Sequence, residues 1–170
     1  MLNHLEDRVK YLNIGIGAMK TRLYFTANHD TTNHVIQNEE NMQNSVQVDI
    51  LPLDKIIINE KPSLMKIDVE GYETLVLQGA KKTLEQKNLR TVIMELNGSG
   101  GRYGFDEKNI LNLMSEYGFR TYSYNPFKRT FVSLKSKKPQ SGNTLFIRDE
   151  EYVFNKVKKT PCFVINEKQI

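Results

Sequence analysis

SLMKIDVEGYETLVLQGAKKTL, running from Ser63 to Leu84, is the stretch on which the reading of the chain turns. It opens with an apolar run, Leu64 to Ile67, of the length of a short strand. Asp68 and Glu70 follow, and Gly71 closes the strand. Beyond the glycine, Tyr72, Leu75, Val76, Gly79, Ala80 and Leu84 recur at three- and four-residue steps, which is one face of a helix. Gly79 and Ala80 are small, so this face can approach a sheet closely. The stretch therefore reads as strand, acidic turn, helix. Ligands of open α/β sheets bind outside the carboxyl ends of the strands, which makes the acids after Ile67 candidates for chemistry.

A second buried-type run, LRTVIMEL from Leu89 to Leu96, lies one helix further on and carries Glu95 near its end. Strand, helix, strand is the right-handed crossover unit, so the two strands should be parallel neighbours in a mostly parallel sheet. Asp68, Glu70 and Glu95 then gather at one sheet edge. Asn97-Gly98-Ser99-Gly100-Gly101 forms a flexible loop at the same edge, suited to a lid or to close approach of a ligand. A carboxylate there can take the proton of a hydroxyl nucleophile. Asp68 with Glu70 and Glu95 can also make an oxygen-rich site for a hard divalent cation. The structural alternative is that Glu70 and Glu73 balance the positive N-terminus of the helix that follows.

The N-terminal part reads as two strands, VKYLNIGI (Val9 to Ile16) and TRLYFT (Thr21 to Thr26), joined by a turn at Gly17 to Lys20. Gly15-Ile16-Gly17 is not a dinucleotide-binding loop, because Lys20 stands where the third glycine belongs and a strand pattern follows instead of a helix. Ala27 to Ser45 is polar and reads as a long loop, with His29 and His34 as solvated loop residues or substrate contacts. Val46 to Ile50 alternates as a strand, and Leu53 to Ile58 reads as a helical turn after Pro52. Phe105 to Tyr117 has the helical stripe Ile110, Leu113, Met114 and Tyr117, with Asp106 as N-cap and Gly118 as the glycine past its end. Phe119 to Tyr124, Thr130 to Leu134 and Thr144 to Ile147 read as strands, and these strands of the C-terminal third are expected to run antiparallel. The residues after Arg148 mix charge and apolar side chains without a clear plan.

Composition bounds the remaining classes. The 170 residues suit a single domain, with net charge +4 and 39% hydrophobic residues. No basic stripe interleaved with aromatics marks a nucleic-acid surface. The lone cysteine, Cys162, excludes an internal disulfide and a cysteine-based zinc site. The charged first residues lack the apolar run of a signal peptide, and no window approaches the ~20 apolar residues of a membrane span. A reducing, cytoplasmic location and no membrane partner are the corresponding expectations.

The motif KIDVEGYETLVLQGAKKTL, with the Leu53-Asp54 pair ahead of it, resembles the signature of the FkbM-type methyltransferases, which use S-adenosyl-L-methionine and mostly methylate oxygen. The resemblance runs from about Val9 to Arg148, giving a partial methyltransferase domain over 9–148 and a C-terminal tail over 149–170. It implies an α/β, Rossmann-like methyltransferase sheet and an acceptor that is a small molecule or a glycan. It places the backbone of Gly15 and Ile16 beside the adenine ring of the donor. Asp68 joins them at the donor site, and Asp68, Glu70 and Glu95 are the candidate catalytic residues. On the same resemblance the chain corresponds to the C-terminal portion of the fold, truncated at its N-terminus. Two strands that would precede Val9, and most contacts to the methionine and ribose groups, lie outside it. Weak donor binding by this chain is the matching expectation. Two alternatives stand beside it. One is a non-enzymatic remnant or interaction module of that fold. The other is a haloacid dehalogenase-like phosphatase, with Asp68-Val69-Glu70-Gly71 as nucleophile turn and Leu145 to Glu150 as acidic metal motif.

Overall fold

A three-stranded sheet and a five-stranded sheet meet across short helices. The computed structural model describes residues 8–27, 33–36, 44–139, 142–162, 164–165 and 168–169. In the first sheet, β1 (Gly15–Ile16) and β2 (Thr21–Thr26) flank β3 (Ser45–Leu51). β1 is parallel to β3 and β2 antiparallel to it, so the turn after β1 joins two strands that do not pair with each other. The expected strand from Val9 is cut to two residues, because only Gly15 and Ile16 find a partner, opposite Ile50 and Leu51. Val9, Tyr11 and Leu12 are exposed. Of the long polar loop, Val35 forms an isolated antiparallel bridge with Phe25. His34 donates its backbone N–H to the Thr26 hydroxyl at 3.1 Å. His29 lies outside the described residues.

After β3 come α1 (Leu53–Ile56), β4 (Leu64–Ile67), α2 (Glu73–Gln78), α3 (Lys81–Glu85) and β5 (Thr91–Glu95). β4 and β5 are parallel neighbours with Ile67 opposite Met94, as the crossover rule requires. The single crossover helix of the sequence reading is instead two helices, broken at Gly79 and Ala80. The break has a physical cause. Asp54 reaches over from α1 and accepts the N–H groups of Lys82 and Thr83 at 2.8 and 2.9 Å and the Thr83 hydroxyl at 2.7 Å. That side chain caps the start of α3 from outside the helix, supplying acceptors the first turn lacks.

A 3₁₀ turn (Ser99–Tyr103) and α4 (Glu107–Glu116) lead to β6 (Arg120–Asn125), β7 (Thr130–Ser133) and β8 (Asn143–Ile147). Asp106 caps α4 by accepting the Lys108 N–H, and Gly118 follows the helix at φ 82°. The five-stranded sheet has the order β4-β5-β8-β6-β7. β4–β5 is its parallel pair, and the three pairings made by the strands of the C-terminal third are antiparallel, as expected of them. The antiparallel share is larger than in the mostly parallel sheet of the sequence reading. β6 and β7 form a hairpin, whose reversal pairs antiparallel, and β8 enters between β5 and β6 and runs antiparallel to both. One face of this sheet carries Ile67, Val92, Met94 and Phe146, packed against Val76, Leu77, Ala80 and Leu84 of the α2–α3 segment and Ile110 and Met114 of α4.

The other face holds α5 (Glu150–Lys159), in the stretch where the sequence showed no plan. Asp149 caps it by accepting the Tyr152 N–H, Glu150 and Glu151 open it, and Lys156, Lys158 and Lys159 close it, in the sense the helix dipole favours. Phe154 of α5 stacks on Phe131 with ring centroids 4.3 Å apart and meets Tyr122 edge-on. A two-residue ribbon, β9 (Val164–Ile165) with β10 (Lys168–Gln169), follows. No helix among the described residues is long and apolar enough to cross a membrane.

Arg148, directly after β8, ties the helices to the sheet. Its Nη1 donates to the carbonyls of Leu84 and Tyr117 at 3.0 Å each, and its Nη2 to Leu89 at 2.7 Å and to Gln86. The guanidinium carbon lies 4.5 Å from the centre of the Phe119 ring. Burial pushes its pKa down, with Arg90 adding to the effect, yet guanidinium stays charged at any ordinary pH. One fork of donors thus answers the carbonyls at the ends of α3 and α4. Replacing Arg148→Met should lower unfolding free energy in urea by about 3 kcal/mol, because the carbonyls lose their donor while remaining half-buried. Arg148→Lys should recover only part of that, since an ammonium lacks the planar fork. Asp54→Ala should cost about 1 kcal/mol in the same measurement.

Candidate active site

The carboxyl ends of β4 and β5 lie side by side because their register is parallel and in step. Extending that register by one residue brings Asp68 beside Glu95, on the sheet face opposite the α2–α4 core. Asp68 is paired with Lys66, two residues back on the same face, and its side chain is 44% exposed. β4 is an edge strand, so its far side carries no partner strand among the described residues. Leu64 on that strand is 53% exposed.

Glu70 is turned out of the strand direction by a left-handed conformation at φ 49°, and Gly71 follows at φ 100°. Successive positive φ values reverse the chain within one step, which β-branched or bulky residues resist. The turn lies flat on the glycine-rich loop. A Cβ on Gly71 would sit 2.5 Å from the Ser99 carbonyl oxygen and 2.9 Å from the Gly100 nitrogen. The loop itself is hinged by Gly98 at φ 87° and Gly104 at φ 76°, on either side of the 3₁₀ turn.

The three acids expected at this edge do not make a metal site. No group of three or more His, Cys, Asp or Glu side chains able to hold a metal occurs among the described residues. Asp68 is engaged by Lys66, and the reversed backbone at Glu70 separates it from the strand register that aligns Asp68 with Glu95. The divalent-ion reading is therefore withdrawn. The phosphatase reading fares no better. Its acidic motif is spent elsewhere, with Asp149 capping α5 and bonding Arg90 at 3.0 Å and Glu150 paired with Arg120 at 3.3 Å.

Gly15 and Ile16 belong to the other sheet, yet they are brought to the same neighbourhood. A Cβ on Gly17 would lie 3.3 Å from the Tyr72 ring, and one on Gly79 would lie 2.0 Å from the Gly17 carbonyl oxygen. Ile16 packs against the main core. Gly15 has a structural reason of its own, because a Cβ there would meet Ile50 Cδ1 at 2.4 Å. A hollow of about 710 Å³ lies beside β1, lined by Ile14, Lys20, Thr21, Arg22, Ile50 and Leu51, on the β1 side and away from Asp68.

Several residues at this edge escaped the sequence reading. Tyr72 and Tyr103 meet edge to face with centroids 5.4 Å apart. The Tyr103 hydroxyl donates to the Val35 carbonyl at 3.1 Å, tying the loop to the three-stranded sheet's outlying bridge. Burial pushes the pKa of both phenols up. Glu107, the first residue of α4, accepts the Gly98 N–H at 2.6 Å and pairs with Lys137. Lys137 also donates to the Leu96 carbonyl just past β5. An aromatic residue inside SGGRYG was the one local signal for Tyr103; the partners of Glu107 are 9 and 30 residues away and leave no local trace.

A family model described as the methyltransferase FkbM domain matches residues 2–121. The matched span ends inside β6. Among solved structures the chain is similar to a crystal structure of the methyltransferase FkbM from Methylobacillus flagellatus KT, with 15% identity, a TM-score of 0.49, and coverage of 86% of this chain and 30% of that one. The chain thus spans less than a third of the length of that relative. No curated protein matches the sequence.

The contact between Gly71 and the loop is directly testable. Gly71→Ala should destabilise the fold by about 2–4 kcal/mol, from backbone strain and the clash with Ser99. Gly101→Ala, where a Cβ meets nothing within 4 Å, should stay within about 0.5 kcal/mol of the parent. Thermal unfolding of the two variants side by side measures the difference.

Proposed function

The chain belongs to the FkbM methyltransferase family, and from that premise we propose that it serves methyl transfer from S-adenosyl-L-methionine to a hydroxyl oxygen of a small molecule or sugar, with Asp68 at the reacting edge. The observation that carries this reading is the parallel register of β4 and β5, which supports a shared carboxyl edge holding Asp68 and Glu95 beside the glycine-hinged loop. When bound, the donor supplies an electrophilic methyl group on a sulfonium. What remains for the protein is to orient donor and oxygen in line and to take the hydroxyl proton.

The residues available fit parts of the donor. Ile16 and the ring of Tyr72 offer an apolar and an aromatic surface on either side of Gly17, suited to a flat ring. The Gly15–Ile16 backbone at the end of β1 is the donor-side contact. Asp68 is exposed enough to meet an acceptor. As the proton acceptor, its carboxylate oxygen takes the hydroxyl hydrogen as the new carbon–oxygen bond forms, while Lys66 pairs with the carboxylate. Glu95, on the same face, orients the acceptor by accepting a hydrogen bond. Glu70 at its left-handed turn shapes the loop contact and takes no proton. Weak donor binding by these 170 residues is part of the same proposal.

Isothermal titration and a tritiated-methyl transfer assay with hydroxylated small molecules and sugars test the reading. Asp68→Asn should lower methyl transfer about 10²-fold or more, with unfolding free energy nearly unchanged because the side chain is exposed at an edge. Glu70→Gln should have a smaller effect. Full activity in Asp68→Asn would remove the proposed proton acceptor. Micromolar donor affinity in the 170-residue chain would overturn the weak-binding part of the reading.

A further inference from the structure

Glu73 is 4% exposed, an unusual place for a carboxyl. It opens α2, and its side chain accepts the Gly71 N–H at 3.1 Å. Among the described residues no lysine or arginine forms an ion pair with it. The charged group that bears on it is Glu107, from α4, and Glu73 in turn bears on the Tyr103 phenol of the 3₁₀ turn. Lys137, from the segment after β7, pairs with Glu107 and makes no ion pair with Glu73. The bonded partner is Gly71, whose turn rests on Ser99 and Gly100. The next residue, Tyr72, supports the Tyr103 ring. A single buried carboxyl therefore stands behind the contact that Gly71 makes with the glycine-hinged loop. Glu107 holds the other end of the same loop through Gly98.

We propose that Glu73 is a positioning residue, a buried carboxyl latch that holds the Glu70–Gly71 turn against residues 98–104 and so sets the position of that loop beside the carboxyl ends of β4 and β5. A neutral carboxyl keeps its carbonyl oxygen for the Gly71 N–H and carries no charge to desolvate. An ionised one is held by backbone N–H groups alone and is repelled by Glu107. Burial is the leading influence and raises the Glu73 pKa above its ordinary value of 4.5. A raised acid favours the closed turn when protonated. The latch is therefore fully set below the ordinary glutamate range and is weakened as pH rises through the raised value. Opening lets the carboxylate reach water and frees Gly71 from the loop. In methyl transfer, and resting on that reading, this loop is what encloses the acceptor beside Asp68.

Amide hydrogen exchange of residues 97–104, corrected for intrinsic rates and followed from about pH 4.5 to about pH 8, tests the latch in the full chain. The parent should lose protection in this loop several-fold across the range, while α4 keeps its own. Glu73→Gln keeps the acceptor and removes the charge, and should hold the loop protected at every pH. Glu73→Ala should leave it unprotected throughout. The same flat profile in the parent and in Glu73→Gln overturns the proposal, even where Glu73→Ala does not fold. Loop protection retained in a folded Glu73→Ala overturns it as well. Absence of methyl transfer by the parent would remove the proposed function and leave the exchange result standing.

Discussion

A Cβ on Gly79 would lie 2.0 Å from the Gly17 carbonyl oxygen, so the end of α2 rests on the turn after β1 because residue 79 has no side chain. Around that contact the Gly79 carbonyl accepts the Asp54 N–H at 3.0 Å, and the Gly17 N–H donates to Leu51 at 3.1 Å. These bonds bring the three-stranded sheet to the five-stranded one. Among the described residues no ladder joins β1 to β4, and no strand pairs with the far side of β4. The relative position of Gly15–Ile16 and Asp68 therefore depends on helix packing and two turns. A backbone ladder resists sliding through many bonds at once; a packed glycine contact is set by shape alone. Any side chain at residue 79 would move Gly15 and Ile16 with respect to the acids.

Two polar side chains then spend their hydrogen bonds on helix ends. Asp54 supplies acceptors to the start of α3, and Arg148 supplies donors to the ends of α3 and α4. Both act across long sequence separations and both match the sign of the helix dipole they meet. The short helices of the crossover, of six and five residues, have too few internal bonds to persist without such help. Glu73 differs from these two. It is buried, accepts from backbone N–H groups with Gly71 at 3.1 Å among them, and has a second acid as its charged neighbour, so it is met by no opposite charge of the kind the helix ends offer Asp54 and Arg148.

The candidate site was legible in the sequence where chemistry and local pattern coincide. Asp68 follows an apolar run and precedes a helical stripe, and Glu95 closes the next apolar run, so their shared edge could be read from connectivity alone. The glycines from 98 to 101 mark the loop for a similar reason, and Gly98 takes the positive φ that a residue without a Cβ permits. The metal reading failed because grouping acids at an edge says nothing about which way each one points. Glu70 leaves the register through a left-handed backbone step that its residue type does not announce. Tyr72, Tyr103, Glu107 and Lys137 were missed because each acquires its role from a partner supplied by another element.

By itself the sequence determined the elements that depend on nearest neighbours. The parallel pair β4–β5, the capped helix after Asp106, the hairpin strands of the C-terminal third and membership of a methyltransferase family all follow from periodicity, caps and one long motif. Tertiary structure alone decided the breaking of the crossover helix, the place of β8 between β5 and β6 and the docking of the helix after Arg148. It also decided that Glu73 is buried without a cation. The reason is common to all of them. Local pattern records the energy of a residue with its chain neighbours, whereas these features are set by groups 28 to 64 residues apart, such as Asp54 with Lys82 and Arg148 with Leu84. Their spacing along the chain carries no trace of the contact until the chain has closed upon itself.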